Sequence, residues 1–264
     1  MQGPRPLRAV SHAMRRIMLL VVFLAFAGAA FVAFRTRPHL PAAERGRRIA
    51  EREGCFTCHG PGGTRGAGNP GRADRTVPTF EGDEMMYAKN DEDLREWIRD
   101  GVSRAKDASQ SYQADRARGT LRMPAFGRRL SRHQIDDLVS YVNAMAGNPD
   151  PDDSLASAGL DRAGKLGCTG CHGPGGRLAA ANPGSLKGYV PSWDGADFPE
   201  LVGGRKEFGE WVRDGISARF RANPAARFFL RRALLHMPAY RSHLAPGDED
   251  ALWAYVTWLR STPH

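Results

Sequence analysis

Two short stretches of the chain each place two cysteines and a histidine within five residues. They are Cys55-Phe56-Thr57-Cys58-His59 and Cys168-Thr169-Gly170-Cys171-His172. This C-x-x-C-H spacing is typical of covalent haem attachment, in which both thiols bond to the porphyrin and the histidine binds the iron. The two motifs use all four cysteines of the chain, which leaves none for a disulfide. The sequence therefore predicts two covalently bound haem c groups, with His59 and His172 as axial iron ligands.

A redox-active dithiol and a zinc site are the alternative uses of such cysteine pairs. A thioredoxin-like pair would need a βαβ pattern around it, and a zinc site would need ligands from both motifs. Neither explains why a Met-Pro-Ala sequence follows each motif, at Met123 and at Met237. Histidine and methionine are one of the axial ligand pairs of haem iron. We therefore predict Met123 and Met237 as the second axial ligands.

The two motifs belong to a tandem repeat. Cys168 follows Cys55 by 113 residues, and the same offset relates Asn69-Pro70-Gly71 to Asn182-Pro183-Gly184. After one inserted residue the offset becomes 114, which relates Met123-Pro124-Ala125 to Met237-Pro238-Ala239. We therefore predict two homologous domains with one haem each, at residues 39–147 and 154–264, joined by a polar linker at residues 148–153.

The repeat also selects among the methionines. Met85, Met86 and Met145 have no methionine counterpart in the second copy, so only Met123 and Met237 serve both copies. His133 and His243 do not correspond to each other, and we predict that both are surface residues.

Helical patterns dominate both copies. Ser131 and Gln134 have the spacing of a capping box, and Asn90 followed by three acidic residues predicts another helix N-terminus. Apolar residues then recur on one helical face in each copy: Ile135, Leu138, Val139 and Val142 in the first, and Leu252, Tyr255, Val256 and Leu259 in the second. No segment alternates as a strand does, so we predict an all-α fold.

An uncharged run of 18 residues, 17–34, precedes the repeats. As a helix it would be about 27 Å long, which just spans a bilayer. Several arginines before the run favour a cytoplasmic N-terminus, although Arg35 and Arg37 follow it. Ala27-Gly28-Ala29 would suit a signal peptidase, so a cleaved signal peptide is the alternative. We favour an uncleaved single-pass anchor, residues 1–38, in a bacterial cytoplasmic membrane, with the haem domains on the periplasmic side.

The chain is basic, with a net charge of +9 and a pI near 9.8. Haem propionates offset part of this charge, so we do not expect nucleic acid as a partner. Arginines cluster around the two methionines, where a positive rim would steer an acidic redox protein, although simple solvation of loops is the alternative. The predicted docking residues are Arg122, Arg128, Arg129, Arg231 and Arg232.

With these motifs in place, the chain resembles the class I cytochrome c family, in tandem, over about residues 40–147 and 152–262. The resemblance implies two small helical haem domains after an N-terminal transmembrane helix. It also implies that the first and last helices of each domain cross at a glycine and an aromatic residue, Gly46 with Tyr141 and Gly159 with Tyr255. A proline carbonyl should accept the other N–H of each haem-binding histidine, and Pro70 and Pro183 match that place. Trp97 and Trp211 would lie near the haem edge or serve as core aromatics.

The function implied is electron transfer by a membrane-anchored dihaem cytochrome c, which relays single electrons between a respiratory donor and an oxidase or other terminal acceptor. No general base, nucleophile or pocket for a small-molecule substrate is visible, so we expect a carrier rather than an enzyme. A dihaem peroxidase also has two C-x-x-C-H motifs, but it needs one iron with an open distal position. Matching Met-Pro sequences in both copies argue against that alternative.

Overall fold

The computed structural model describes residues 9–35, 39–81, 87–147 and 151–262 of the chain. Met85, Met86 and residues 148–150 of the predicted linker lie outside these ranges. The chain divides into two compact units, Met1–Pro38 and His39–His264.

The first unit contains one long helix, α1 (Ala9–Arg35). Its segment Met14–Phe34, 21 residues long, is apolar enough to cross a membrane by length and composition, and its side chains are exposed. A signal sequence near an N-terminus would meet the same criteria.

The second unit begins with six helices. They are α2 (Ala42–Arg52), α3 (Phe56–His59), α4 (Asp91–Asp100), α5 (Arg104–Asp107), α6 (Gln110–Arg118) and α7 (Arg132–Ala146). Seven more α-helices follow in the described part of the second half: α8 (Ser154–Lys165), α9 (Thr169–His172), α10 (Phe198–Leu201), α11 (Arg205–Asp214), α12 (Ala218–Ala222), α13 (Pro224–Arg232) and α14 (Asp248–Ser261), the last preceded by a 3-10 turn at Arg241–His243. Two further 3-10 turns, Pro61–Gly63 and Pro174–Gly176, follow α3 and α9.

The prediction of an all-α fold is confirmed for the described residues, which contain no β-strand. Two isolated bridges, Gly68 with Thr76 and Ala181 with Tyr189, close equivalent loops in the two halves.

The predicted helix boundaries follow from local hydrogen bonds. The Ser131 side chain and the Gln134 side chain cap α7 reciprocally, as the capping box requires. The Asn90 side chain accepts a hydrogen bond from the Asp93 backbone N–H at the start of α4. Gly101 ends α4 with a φ of 77°, a left-handed conformation that glycine adopts without steric cost.

Each half is built on a crossing of its first and last helices. A Cβ on Gly46 in α2 would overlap the Asp137 carbonyl oxygen of α7 and crowd the Cβ of Tyr141. A Cβ on Gly159 in α8 would meet Ala251 and Tyr255 of α14 in the same way. The predicted contacts between Gly46 and Tyr141 and between Gly159 and Tyr255 are therefore confirmed.

The apolar faces predicted for the last helices form the two cores. In the first half, the predicted face of α7 is buried with Ile49, Leu94 and Ile98. In the second half, the predicted face of α14 is buried with Phe208 and Val212 of α11. His133 and His243 are exposed, as predicted.

The two halves meet at a junction within the second unit. The turn Pro174–Gly176 of the second half packs against α7 of the first. A cavity of about 380 Å³ beside it is lined by Arg45 and Ser140 from the first half and by Arg177 and Asp194 from the second. His39 Nδ1 also lies 3.3 Å from Oδ1 of the buried Asp197.

Candidate functional site

The first C-x-x-C-H motif forms a single helical turn at the end of α2. The Cys55 N–H donates to the Ala50 carbonyl at 2.9 Å, and the His59 N–H donates to the Cys55 carbonyl at 3.0 Å. Residues three and four positions apart share a helix face, so the turn directs Cys55, Cys58 and His59 to one side. All three line the same cavity.

The second motif has the same conformation. The Cys168 N–H donates to the Ala163 carbonyl at 3.0 Å, and the His172 N–H donates to the Cys168 carbonyl at 3.1 Å. The two motifs are therefore positioned by equivalent helices, α2 and α8.

Both histidines are oriented by a proline carbonyl. His59 Nδ1 lies 2.7 Å from the Pro78 oxygen, and His172 Nδ1 lies 2.8 Å from the Pro191 oxygen. Because a carbonyl only accepts, Nδ1 carries the proton and Nε2 keeps a lone pair for a metal. Burial lowers the pKa of both imidazoles, which favours the neutral form that binds metals.

The assignment of Pro70 and Pro183 to this role is wrong. The Pro70 carbonyl accepts the Thr120 N–H at 3.1 Å, and the Pro183 carbonyl accepts the Leu234 N–H at 2.9 Å. Every peptide carbonyl is an equivalent acceptor, so the path of the loop decides which one reaches the histidine. Here the loop turns back at the Gly68–Thr76 bridge, and the next proline along the chain reaches the ring.

An aromatic side chain packs on each imidazole. The ring of Phe80 lies 4.6 Å from that of His59, and the ring of Trp193 lies 5.1 Å from that of His172. Gly63 and Gly176, at positive φ, leave room for these aromatic rings, because a Cβ there would overlap them. The aromatic ring and the carbonyl together fix the orientation of each histidine.

Each methionine lies in a loop that a buried asparagine holds. Asn69 Nδ2 donates to the Leu121 carbonyl at 3.1 Å, and the Leu121 N–H donates to Asn69 Oδ1 at 2.8 Å. Leu121 stands two residues before Met123. In the second half, Asn182 makes the same pair with Leu235, at 3.0 and 2.8 Å.

We call these two residues the asparagine clamps. Both are buried, with exposed fractions of 5% and 6%. The sequence contains a signal for them, since the Asn-Pro-Gly triplet recurs at the offset of the cysteines. From the sequence, a role is predicted for the proline of each triplet and none for the asparagine.

The other side of each methionine loop packs against an earlier helix, α4 in the first half and α11 in the second. Gly101, at the end of α4, lies against the backbone of Met123 so closely that a Cβ would crowd its carbonyl oxygen. The Phe126 N–H donates to the Ile98 carbonyl at 3.0 Å. In the second half the Tyr240 N–H donates to the Val212 carbonyl at 3.0 Å. Each methionine is thus held between an asparagine clamp and a helix end.

The residues predicted for the first site meet in one cleft. Cys55, Cys58, His59 and Met123 all line it, among apolar side chains that include Leu94, Ile98, Phe126, Leu138 and Val142. The volume of the cleft is about 230 Å³. Trp97 also lines the cleft, and its Nε1 donates to the Tyr87 carbonyl at 3.1 Å.

Residues of the second site converge on an equivalent core. Cys168 and Met237 pack against the buried cluster that contains Trp193, and Trp193 in turn flanks His172. Trp211 Nε1 donates to the Leu201 carbonyl at 2.9 Å, as Trp97 does to Tyr87. Cys171 is half-buried next to His172.

The cysteine environment does not suit a redox dithiol. Burial raises the pKa of the Cys55 and Cys168 thiols, whereas a reactive C-x-x-C pair needs a lowered pKa. Among the residues that the structure describes, no three or more His, Cys, Asp or Glu side chains group as a metal cage. An apolar cleft with two thiols, a neutral imidazole and a thioether instead fits a flat, largely apolar macrocycle with a metal at its centre.

Residues 43–146 match the family model of cytochrome c. The match supports a cytochrome c family for the chain, and a cytochrome c domain implies covalently bound haem c and a role in electron transfer. The matched range includes α2, the first C-x-x-C-H motif, the Asn69 clamp, Met123 and α7. No curated protein and no solved structure matches the chain.

The arginines predicted to dock a partner differ in their surroundings. In the cytochrome c domain, Arg122 is exposed at the cleft, and the exposed Arg129 lies 3.0 Å from a Glu53 oxygen. Arg128 is exposed in the same loop. In the second half, Arg231 and Arg232 are exposed at the end of α13.

Proposed function

We propose that the chain is a membrane-anchored dihaem cytochrome c that relays single electrons between a donor and an acceptor protein. The cytochrome c domain at residues 39–147 would hold one haem, and residues 154–264 would form a second domain of the same kind. Support for the second domain comes from the repeated order of helices, the repeated glycine–tyrosine crossing and the repeated asparagine clamp.

The observation that carries the proposal is the paired orientation of the two histidines. Their Nδ1 atoms lie 2.7 and 2.8 Å from proline carbonyls, so Nε2 is available as a metal ligand in both halves. A histidine that served only as a core residue would not require this arrangement at the same point of both repeats.

In this proposal, Cys55, Cys58, Cys168 and Cys171 form the thioether bonds to two haem c groups. His59 with Met123, and His172 with Met237, would supply the axial ligands. Bound haem iron supplies the one-electron chemistry, and a methionine ligand raises its reduction potential. The chain's own contribution is to exclude water with its apolar core, to hold each imidazole in one tautomer and to hold each methionine loop.

Positively charged side chains at the first cleft could pair with the negatively charged propionates of a haem. Arg72, Arg116 and Arg122 line the cleft. Arg72 is also held over the Tyr112 ring, at 4.9 Å from its centroid. These cations would pair with haem propionates, while the exposed arginines would attract an acidic partner.

The anchor in this proposal is α1, which would tether both haem domains to the outer side of a bacterial cytoplasmic membrane. Its support is the apolar segment Met14–Phe34. Full-length protein should then need detergent for extraction. Recovery from the soluble fraction, with a new N-terminus at Ala30, would instead establish a cleaved signal peptide.

Haem content and ligand substitution test the electron-carrier proposal directly. The purified protein should contain two covalent haems. Met123→His and Met237→His should each lower one reduction potential and remove about half of the near-infrared sulfur-to-iron band, because each removes one of two sulfur ligands. Met145→Leu, a substitution outside both sites, should leave the band intact.

Three outcomes would contradict the proposal. One haem per chain would rule out the second domain as a haem domain. A band that survives in the Met123→His, Met237→His double variant would rule out these ligands. Rapid turnover of hydrogen peroxide would favour a peroxidase, because that reaction needs an iron without its methionine.

A further inference from the structure

The second half carries an exposed apolar surface beside its methionine loop. Among the described residues of the second unit, five large apolar side chains are more than a third exposed. They are Leu155, Leu186, Phe228, Leu234 and Leu235, with exposed fractions of 47%, 50%, 46%, 69% and 38%. All but Leu155 belong to α13, the segment after it, or the loop that packs on that segment.

Backbone contacts join these side chains into one surface. The Leu234 N–H donates to the Pro183 carbonyl at 2.9 Å, and a Cβ on Gly184 would overlap the Arg232 carbonyl. The loop that contains Leu186 is therefore packed against residues 232–234. The Arg232 guanidinium lies 5.2 Å from the centroid of the Phe228 ring, which connects α13 to the same surface.

The charged side chains around this surface are basic and exposed. Arg227, Arg231 and Arg232 are exposed, and no ion pair among the described residues involves them. By contrast, the nearby Arg241 lies 2.5 Å from Asp214, and Arg219 lies 2.9 Å from Glu207. We call Leu186, Phe228, Leu234 and Leu235, with Arg227, Arg231 and Arg232, the α13 patch.

The first half retains only two residues of this surface, Leu121 and Arg118 at the positions of Leu235 and Arg232, and Arg118 lies there 3.0 Å from Asp115. Under the offsets of the repeat, Ala73, Ala114 and Thr120 stand where Leu186, Phe228 and Leu234 stand in the second half. Gln113 and Ala117 replace Arg227 and Arg231. The fold is shared by both halves, so the α13 patch does not follow from what the fold itself needs.

We propose that the α13 patch is the docking site for an acidic redox protein, which therefore exchanges electrons with the second half and not with the first. This inference rests on the proposed function. An apolar centre with a charged rim is the usual anatomy of a protein interface, and redox encounters use small interfaces of this kind. Positive charge without internal partners selects a surface that is rich in carboxylates.

The position of the patch favours a protein partner over a bilayer. Leu235 is hydrogen-bonded to Asn182 and stands two residues before Met237. A partner on the patch would therefore lie beside the loop of Met237, the residue proposed to bind the iron of the second half. A lipid surface at the same place would cover that site and gain no electron transfer.

Voltammetry of the full chain in detergent tests the docking proposal. The probe is a gold electrode that bears a mixed monolayer of carboxylate-terminated and methyl-terminated alkanethiols. The second haem, identified by its shift in Met237→His, should exchange electrons faster than the first. Arg227→Gln with Arg231→Gln should slow that haem by about tenfold or more, since charge steering changes encounter rates by this order. Leu234→Ser should also slow it, because it removes the most exposed apolar side chain of the patch from contact with the methyl-terminated chains.

Matched variants control for charge and for apolar area. Ala117→Glu with Arg132→Gln makes the same change of charge in the first half, and Leu155→Ser removes an exposed leucine outside the patch. Neither should alter the rate at the second haem. Equal effects of the control and patch variants, or no effect of the patch variants, would overturn the inference.

An experiment with lipid nanodiscs tests the alternative that a bilayer, and not a protein, covers the α13 patch. In nanodiscs of phosphatidylcholine, or of phosphatidylcholine with phosphatidylglycerol, hydrogen exchange of residues 224–235 should be the same. Protection by the anionic lipid alone, with electrode rates unchanged in Leu234→Ser, would assign the patch to the bilayer and overturn the inference. Two normal haem signals in every variant keep these outcomes distinct from a failure of the proposed function.

Discussion

Replacing Asn69 by alanine should release the loop that carries Met123. The Asn69 side chain makes two hydrogen bonds to Leu121, at 3.1 and 2.8 Å, and it is 5% exposed. Alanine makes neither bond, so the Leu121 N–H and carbonyl lose their partner in a part-buried setting. The perturbation therefore acts on the methionine loop and leaves the C-x-x-C-H motif unchanged.

Hydrogen-bond energetics give the magnitude. A buried backbone group left without a partner costs about 1–3 kcal/mol, and water reaches the half-buried Leu121 in part, so we expect a loss of about 2–3 kcal/mol. If all of that energy were felt by Met123, an added imidazole would bind the first iron about 30- to 150-fold more tightly. This value is the upper limit. Any part of the lost free energy that destabilises the protein equally with Met123 bound to the iron and released from it does not change the affinity for imidazole.

The assay is an imidazole titration followed through the sulfur-to-iron band, with urea unfolding of the same protein. Asn69→Ala should affect one haem, and Asn182→Ala should affect the other. Asn69→Asp keeps an acceptor for the Leu121 N–H but places a carboxylate oxygen against the Leu121 carbonyl in a buried position, so its effect should be at least as large as that of Asn69→Ala. Asn143→Ala, which removes a bond to Asp91 on the surface, should change stability by less than about 0.5 kcal/mol.

Two results would refute this reasoning. One is a loss of stability in Asn69→Ala no larger than in Asn143→Ala. The other is tighter imidazole binding at both irons in Asn69→Ala, which would show a general loosening of the fold and not a local release of Met123.

Two further predictions concern the helix crossing of the first half. Gly46→Ala should lower the free energy of unfolding by about 1–3 kcal/mol or more, because its Cβ would overlap the Asp137 carbonyl. The control Gly164→Ala, which has open space around it, should be neutral or stabilising in thermal unfolding. Equal melting temperatures of the two variants would contradict this prediction. Burial raises the pKa of Tyr141 to about 12, so the folded state loses stability as the pH rises above about 10, by about 1.4 kcal/mol at pH 11. In Tyr141→Phe this loss of unfolding free energy above pH 10 should be absent. If the free energy of unfolding falls with pH as in the unsubstituted protein, Tyr141 is not its source.

Local signals were sufficient for the helices that frame the site. Ser131 and Gln134 cap α7, and Gly46 meets Tyr141, because these features depend on spacing and on the absence of a side chain. The short helices around the methionines, α5, α6, α12 and α13, contain no buried residue, so the buried apolar face that identified α7 and α14 does not mark them. They depend on the loops beside them.

The hydrogen-bond acceptor of His59 could not be predicted from the sequence, for a different reason. Asn-Pro-Gly and Val-Pro recur equally well in the two halves, so the repeat alone did not distinguish Pro70 from Pro78. The difference arises from a loop closed by the Gly68–Thr76 bridge, which is a contact between distant backbone groups. Such a contact leaves no mark on residue type, because every residue carries the same carbonyl.

The junction between the halves joins unlike surfaces. The first half contributes α7 and Arg45, while the second contributes the turn Pro174–Gly176 and Arg177. A head-to-tail contact of this type can in principle add copies without end, as in a filament. Here the residues that correspond to Arg45 and Arg177 are Ala158 and Thr64, so the faces left at the two ends do not reproduce the junction. The junction is therefore specific to this order of the two halves, because exchanging them would remove both arginines from it.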